Sequence, residues 1–199
     1  MGRVIGITGG IASGKSSVST YIRELGFVVV DADVAAREVV EPGEEAYHDI
    51  VKAFGEDILL PDGGIDRAKL GTLIFHDEDK RLRLNSIVHP AVRKRMKEQT
   101  EKAFQDGAET VFMDIPLLFE SKLTYMVEKS LLIYVDEEVQ LQRLMKRNDL
   151  SESEALARIH SQMPLVEKKA LADAVVDNNG ELEETKQQVL AILKQWDIR

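Results

Sequence analysis

No cysteine occurs among the 199 residues. A disulfide, a cysteine nucleophile, a thiolate zinc site and a cysteine-ligated iron–sulfur cluster are all excluded. Long hydrophobic runs are also missing, and none approaches the length of a membrane span. The opening MGRVIGITGG lacks the extended apolar region and small-residue cleavage site of a secretory signal. Its Met-Gly start suggests myristoylation, but Gly6 stands where that signal needs Ser or Thr. Basic residues are outnumbered 26 to 35, for a formal net charge of −9. An acidic surface repels nucleic acid and anionic membrane, so neither is expected as a main partner. With 44% hydrophobic and 31% charged residues the composition is that of an ordinary globular chain. The expectation is a cytoplasmic protein with one core domain and small insertions.

What is present alternates between strand and helix patterns. Arg3 to Thr8 is a short run of branched apolar residues bounded by glycines, which predicts a buried strand. A glycine-rich turn follows, and then a helix over 16–25 with Val18, Tyr21, Ile22 and Leu25 at helical spacing. A second strand spans 27–30 and ends at Asp31. Residues 34–107 show helical patterns and no buried strand, and His89-Pro90 is expected to interrupt them. Strands resume at 110–113, 130–135 and 174–176, with helices expected over 137–147, 153–162 and 182–196. The charged stretch 149–169 reads as mobile. Five core strands separated by helices predict an α/β fold with a parallel sheet.

Gly9 to Ser16 reads GGIASGKS and matches G-x-x-x-x-G-K-[ST]. Glycines let the backbone turn tightly, so that successive N–H groups point inward at phosphate oxygens. The following helix aims its positive end at the same anion. Lys15 would bridge the β- and γ-phosphates of a nucleotide, and the Ser16 hydroxyl would ligate Mg²⁺. No Asn-Lys-x-Asp motif for guanine is found, which favours ATP.

Ligands of open α/β sheets sit beyond the carboxyl ends of the strands. Four strands end there in an acid: Asp31, Asp114, Asp136 and Asp177. Asp136 reads as a helix cap and Asp177 as a turn residue with Asn178, Asn179 and Gly180. For Asp31, Asp33 and Asp114 the spacing leaves capping and chemistry both open. Asp33 could accept a proton from an incoming hydroxyl, and Asp114 could hold a Mg²⁺-bound water or a substrate group.

Positive charge collects in two stretches. Residues 80–102 hold eight basic and two acidic groups, and 143–169 hold six and four. Most of these read as a solvated helix face. Arg143 and Arg147, four apart, share one face, and with Arg158 they could form a lid that closes over a transferring phosphoryl group.

Together these features resemble the bacterial dephospho-coenzyme A kinases, which are phosphate-loop (P-loop) kinases. The resemblance rests on GITGGIASGKS (6–16), DADVAAREVVEPG (31–43), HPAVR (89–93), DIPLLFE (114–120) and the late RLMKRN, RIHSQM and ADAVVDNNG segments. Ala12 and Ser17 stand where that family often has Gly and Thr.

The resemblance implies ATP-dependent phosphorylation of the ribose 3′-hydroxyl of dephospho-coenzyme A, the last step of coenzyme A synthesis. It implies a nucleotide-binding core (1–33, 108–139 and 170–199), a helical substrate-binding insertion (34–107) and a lid (140–169). Asp33 would be the general base, with Lys15 and Arg143 stabilising the transferring group. Ala12, Ser13, Gly14, Lys15, Ser16 and Ser17 would cradle ATP. Thr8, Asp31, Arg37, His89, Arg93, Asp114 and Pro116 would line or shape the acceptor site. His89 reads equally as a satisfied core or turn histidine. The alternatives are another small-molecule kinase, for a nucleoside or nucleotide, and a nucleotide-dependent switch ATPase. The sequence is silent on oligomeric state.

Overall fold

A computed structural model of the chain describes residues 2–198. Among them five strands form one sheet: β1 (Arg3–Thr8), β2 (Val28–Asp31), β3 (Thr110–Asp114), β4 (Lys129–Tyr134) and β5 (Ala174–Asp177). The sheet is parallel, with the order β2-β3-β1-β4-β5. Every residue of β3 is buried, as expected of a strand covered on both faces. The chain leaves β1 towards β2 and leaves β3 towards β4. The crevice between the carboxyl ends of β1 and β3 is therefore the topological switch point.

The helices are α1 (Lys15–Glu24), α2 (Ala32–Glu38), α3 (Glu45–Phe54), α4 (Arg67–Phe75), α5 (Glu78–Gln105), α6 (Glu137–Asn148), α7 (Glu152–Ile159), α8 (Leu165–Lys169) and α9 (Leu182–Gln195). The chain divides into two compact units, Asp31–Lys102 and the remainder. In the larger unit Val18 and Ile22 of α1 and Val189 and Leu193 of α9 share a core with Ile5, Phe112 and Ile133 of the sheet. In the smaller unit Ile50, Ile58 and Leu70 are covered by Leu84, Ile87 and Val88. No strand forms there beyond a single bridge, Leu59 to Ile65.

Two expectations need correction. First, α5 runs unbroken for 28 residues with Pro90 inside it. The proline removes one backbone hydrogen bond, a penalty of about 3 kcal/mol. The helix carries Leu84, Ile87 and Val88 before the proline, and buried Met96, Thr100 and Ala103 after it. Burial at about 1.5–3 kcal/mol for each large apolar side chain outweighs that penalty. Second, Asp136 occupies the N-cap position of α6, but its side chain bonds no helix amide. It accepts instead from the Tyr134 hydroxyl at 2.8 Å, which raises the tyrosine pKa above its ordinary value. Asp177 does shape its turn, accepting from Asn179 N at 2.9 Å.

The segment after β4 is helical in α6, α7 and α8. Leu144, Ala155 and Ile159 form an apolar cluster that includes Ile11 and Ala12 of the glycine-rich loop. Among the described residues no helix is long and apolar enough to cross a membrane.

Candidate active site

The loop between β1 and α1 lies at the switch point. Ser13 N donates to Gly10 O at 3.1 Å, and Gly10 N donates to the Ser13 hydroxyl at 3.3 Å. Ala12 and Gly14 are left-handed, with φ of 57° and 85°. A Cβ on Gly14 would come within 2.1 Å of Asn178 Nδ2, so glycine is required there by space as well as by conformation. No side chain caps α1, and its first turn carries no acid. The amides of Ala12, Gly14, Lys15 and Ser16 have no hydrogen-bond partner among the described residues. Uncommitted amides at a helix N-terminus form an anion site.

Surrounding side chains hold this loop from behind. Asn178 Nδ2 donates to Ser13 O at 2.8 Å, and Asn178 Oδ1 accepts from Thr185. Gln140 Nε2 donates to Ile11 O at 2.7 Å, while Gln162 Oε1 accepts from Ile11 N at 2.9 Å. The fully buried Lys168 donates to Gly9 O.

Lys15 and Asp114 meet in an ion pair, and Ser19 Oγ donates to the other carboxylate oxygen at 2.6 Å. Asp114 is thus no helix cap. Arg143 donates to Asn178 O at 2.9 Å, and its Nη1 lies 3.9 Å from where a Gly14 Cβ would sit. Thr8 is fully buried and donates to Pro116 O at 3.1 Å, a strut between β1 and the loop after β3. Ser16 and Ser17 are exposed, and the Ser16 hydroxyl has no partner among the described residues. Arg147 bonds Asn148, and Arg158 is exposed.

In the smaller unit Asp31 caps α2, accepting from Asp33 N at 2.9 Å and Val34 N at 3.2 Å. That leaves the Asp33 carboxylate exposed and without a partner among the described residues. His89 is exposed on the continuous α5, so it is neither a core nor a turn histidine. Arg37, His89 and Arg93 have no ion-pair partner among the described residues, although Arg93 is half-buried. Arg95 behaves differently. It is held by Glu44 at 2.7 Å and Glu38 at 3.1 Å, and the Glu44 hydrogen bond is the first cause of its raised pKa. Lys80, Arg81, Lys94 and Lys97 are also paired with acids. Much of the basic run 80–102 is therefore neutralised locally.

The family model described as dephospho-CoA kinase matches residues 3–184. The chain belongs to the dephospho-CoA kinase family. A dephospho-CoA kinase of Geobacillus kaustophilus is 60% identical over 97% of this chain and 96% of its own length. One from Oceanobacillus iheyensis is 58% identical over 98% of both. Among solved structures, a Thermus thermophilus protein superposes with a TM-score of 0.82 at 34% identity, covering 98% of this chain and 97% of its own. The dephospho-CoA kinase from Campylobacter jejuni gives 0.75 at 28% identity, covering 98% of each chain. The shikimate kinase of Aquifex aeolicus gives 0.55 at 17% identity over 98% of each, a likeness of fold alone.

The left-handed Ala12 gives a physical reason for the glycine often found there in dephospho-CoA kinases. An L-residue in that conformation is disfavoured by about 1–2 kcal/mol. Gln140, Gln162, Lys168 and Asn178 went unrecognised in the sequence as residues that support the loop. Their partners are backbone groups, which leave no pattern of side-chain types. For Lys168 one signal exists: it falls three residues after Leu165, on the buried face of α8.

Proposed function

We propose that this chain transfers the γ-phosphoryl group of ATP to the ribose 3′-hydroxyl of dephospho-coenzyme A, yielding coenzyme A and ADP. The match to the dephospho-CoA kinase family over residues 3–184 carries this reading. We assign ATP to the core (1–33, 108–139 and 170–199), the acceptor to the insertion (34–107) and closure to the lid (140–169). An ATP-consuming reaction belongs where ATP is supplied, which supports a cytoplasmic location.

Each role has its own support. The uncommitted amides of Ala12, Gly14, Lys15 and Ser16 suit the phosphates, with Ser13 and Ser17 completing the cradle. Lys15 would exchange Asp114 for the β- and γ-phosphates. Arg143, beside Gly14, is placed to neutralise charge spreading over the transferring group. Arg147 and Arg158 are the remaining lid arginines. Asp33 would accept the 3′-hydroxyl proton as the ribose oxygen attacks in line, since Asp31 already serves as the cap. Arg37, His89 and Arg93, without ion-pair partners among the described residues, are donors suited to the anionic acceptor. Thr8 and Pro116 shape the acceptor site through their mutual hydrogen bond.

Mg²⁺ fits the donors present. Among the described residues no three His, Asp or Glu side chains converge on a metal site. Magnesium keeps several waters and takes one or two protein oxygens plus substrate phosphates. The exposed, unpartnered Ser16 hydroxyl would hold it, with Asp114 acting through a water. Bound there, the ion supplies charge neutralisation on the nucleotide phosphates.

A coupled ADP-release assay over an acceptor panel tests the assignment. Turnover is expected with dephospho-coenzyme A, and little with nucleoside monophosphates or with ATP alone. Equal turnover with a nucleoside monophosphate would reassign the acceptor. Turnover that needs no acceptor, and rises with nucleic acid or a protein, would indicate a switch ATPase.

A further inference from the structure

Lys168 has no solvent exposure and takes no part in the chemistry above. Its ammonium has three acceptors: Glu120 Oε1 at 2.7 Å, Gly9 O at 2.8 Å and Pro116 O at 3.4 Å. An ammonium has three donors, so its capacity is used in full. Glu120 Oε1 also accepts from Met163 N at 3.3 Å, and the neighbouring Gln162 holds Ile11 N. One buried charge thus gathers the glycine-rich loop, the loop after β3 and the segment leading into α8.

Gly9-Gly10 is the peptide of this loop most free to flip, because neither residue has a Cβ. Lys168 holds its oxygen, and the Ser13 hydroxyl accepts from its N–H. A flip would turn the Gly9 oxygen towards the loop interior, where it would repel a phosphate. Apolar side chains of similar volume could fill the same space, and buried ion pairs are weak sources of stability. Only a donor with several hydrogens can hold carbonyls from two segments at once.

We propose that Lys168 and Glu120 are a positioning pair for phosphoryl transfer: Lys168 fixes the Gly9 and Pro116 carbonyls, and Glu120 neutralises the lysine charge at that point. Neither residue touches substrate. The proposal rests on the kinase reading above.

The test compares wild type with Lys168→Arg, Lys168→Met and the double variant Lys168→Met/Glu120→Gln. The single Met variant strands a buried carboxylate and is prone to unfold, so the double variant, which removes both charges, decides. Thermal melts establish folding. Binding of a fluorescent ATP analogue reports loop geometry without turnover, and steady-state kinetics separate kcat from KM for ATP. The folded double variant is expected to bind the analogue about tenfold more weakly and to lose about 100-fold in kcat/KM for ATP, as for a misplaced site. Lys168→Arg, which keeps the charge and several donors in a different geometry, should retain more kcat/KM than the double variant. A folded double variant with wild-type affinity and kinetics would overturn the proposal. So would one that cannot fold, because the pair would then be serving stability. A wild-type protein inactive on dephospho-coenzyme A would count against the kinase reading alone, and analogue binding would still judge the pair.

Discussion

The Lys15 ammonium rests on the carboxylate of Asp114, joining the first helical residue after β1 to the last residue of β3. Asp114 is almost fully buried, whereas the Lys15 side chain keeps 17% exposure. The pair spans the crevice where open α/β sheets take their ligands. In this pair each charge compensates the other.

Lys15→Ala is expected to affect both stability and catalysis. It leaves the Asp114 carboxylate buried with Ser19 as its remaining side-chain donor. Thermal melts without nucleotide should show a loss of about 2–3 kcal/mol, near the low end for a broken buried pair because Lys15 is partly solvated. Removal of a charge-stabilising donor should lower turnover by about 100- to 1,000-fold. An unchanged rate would remove Lys15 from the phosphate site.

Asp33→Asn separates base chemistry from scaffolding. The Asp33 side chain bonds nothing among the described residues, so melting should shift little. The expected stability loss is below about 1 kcal/mol, from the missing charge at the start of α2. ATP affinity should be unchanged, while kcat falls about 100- to 10,000-fold. Turnover near wild type would transfer the base role elsewhere.

Ala12→Gly should stabilise the protein. Glycine relieves the left-handed strain at φ 57°, partly offset by its greater freedom in the unfolded chain. A net gain of up to about 1 kcal/mol would raise Tm by up to about 2–4 °C. A lower Tm would mean that the methyl packing with Leu144 and Ile159 outweighs the strain.

Glu128 carries a pH-dependent contribution. Its hydrogen bond with Arg3, 2.9 Å from Nη2, is the main cause holding its pKa below the ordinary value. A carboxyl depressed in the folded state adds stability that is present above its unfolded pKa of about 4.3 and lost as the pH falls through the folded value. Both partners are partly exposed, so the contribution is under about 1 kcal/mol. Denaturant melts should find Glu128→Gln less stable than wild type at neutral pH, with the gap closing in acid. A gap independent of pH would assign the effect to geometry rather than charge.

The strands were legible because short branched-apolar runs end in glycine or aspartate, as at Thr8-Gly9 and Met113-Asp114. The glycine-rich loop was legible because its spacing is itself the chemistry. The path of α5 was not, since a local rule about Pro90 was outweighed by packing on either side of it. The division of labour between Asp31 and Asp33 was equally hidden. Both satisfy the same spacing, and the hydrogen bonds to Asp33 N and Val34 N decide which of them caps α2. Lys168 read as one more surface charge, because burial depends on how α8 docks and not on its own residues.

The most direct test of the assigned reaction is the structure of its product. The purified chain, with ATP, Mg²⁺ and dephospho-coenzyme A, should form coenzyme A and ADP in equal amounts, with phosphorus NMR placing the new monoester on the ribose 3′-oxygen. Release of inorganic phosphate with the acceptor unchanged, or a phosphate on any other oxygen, would contradict it.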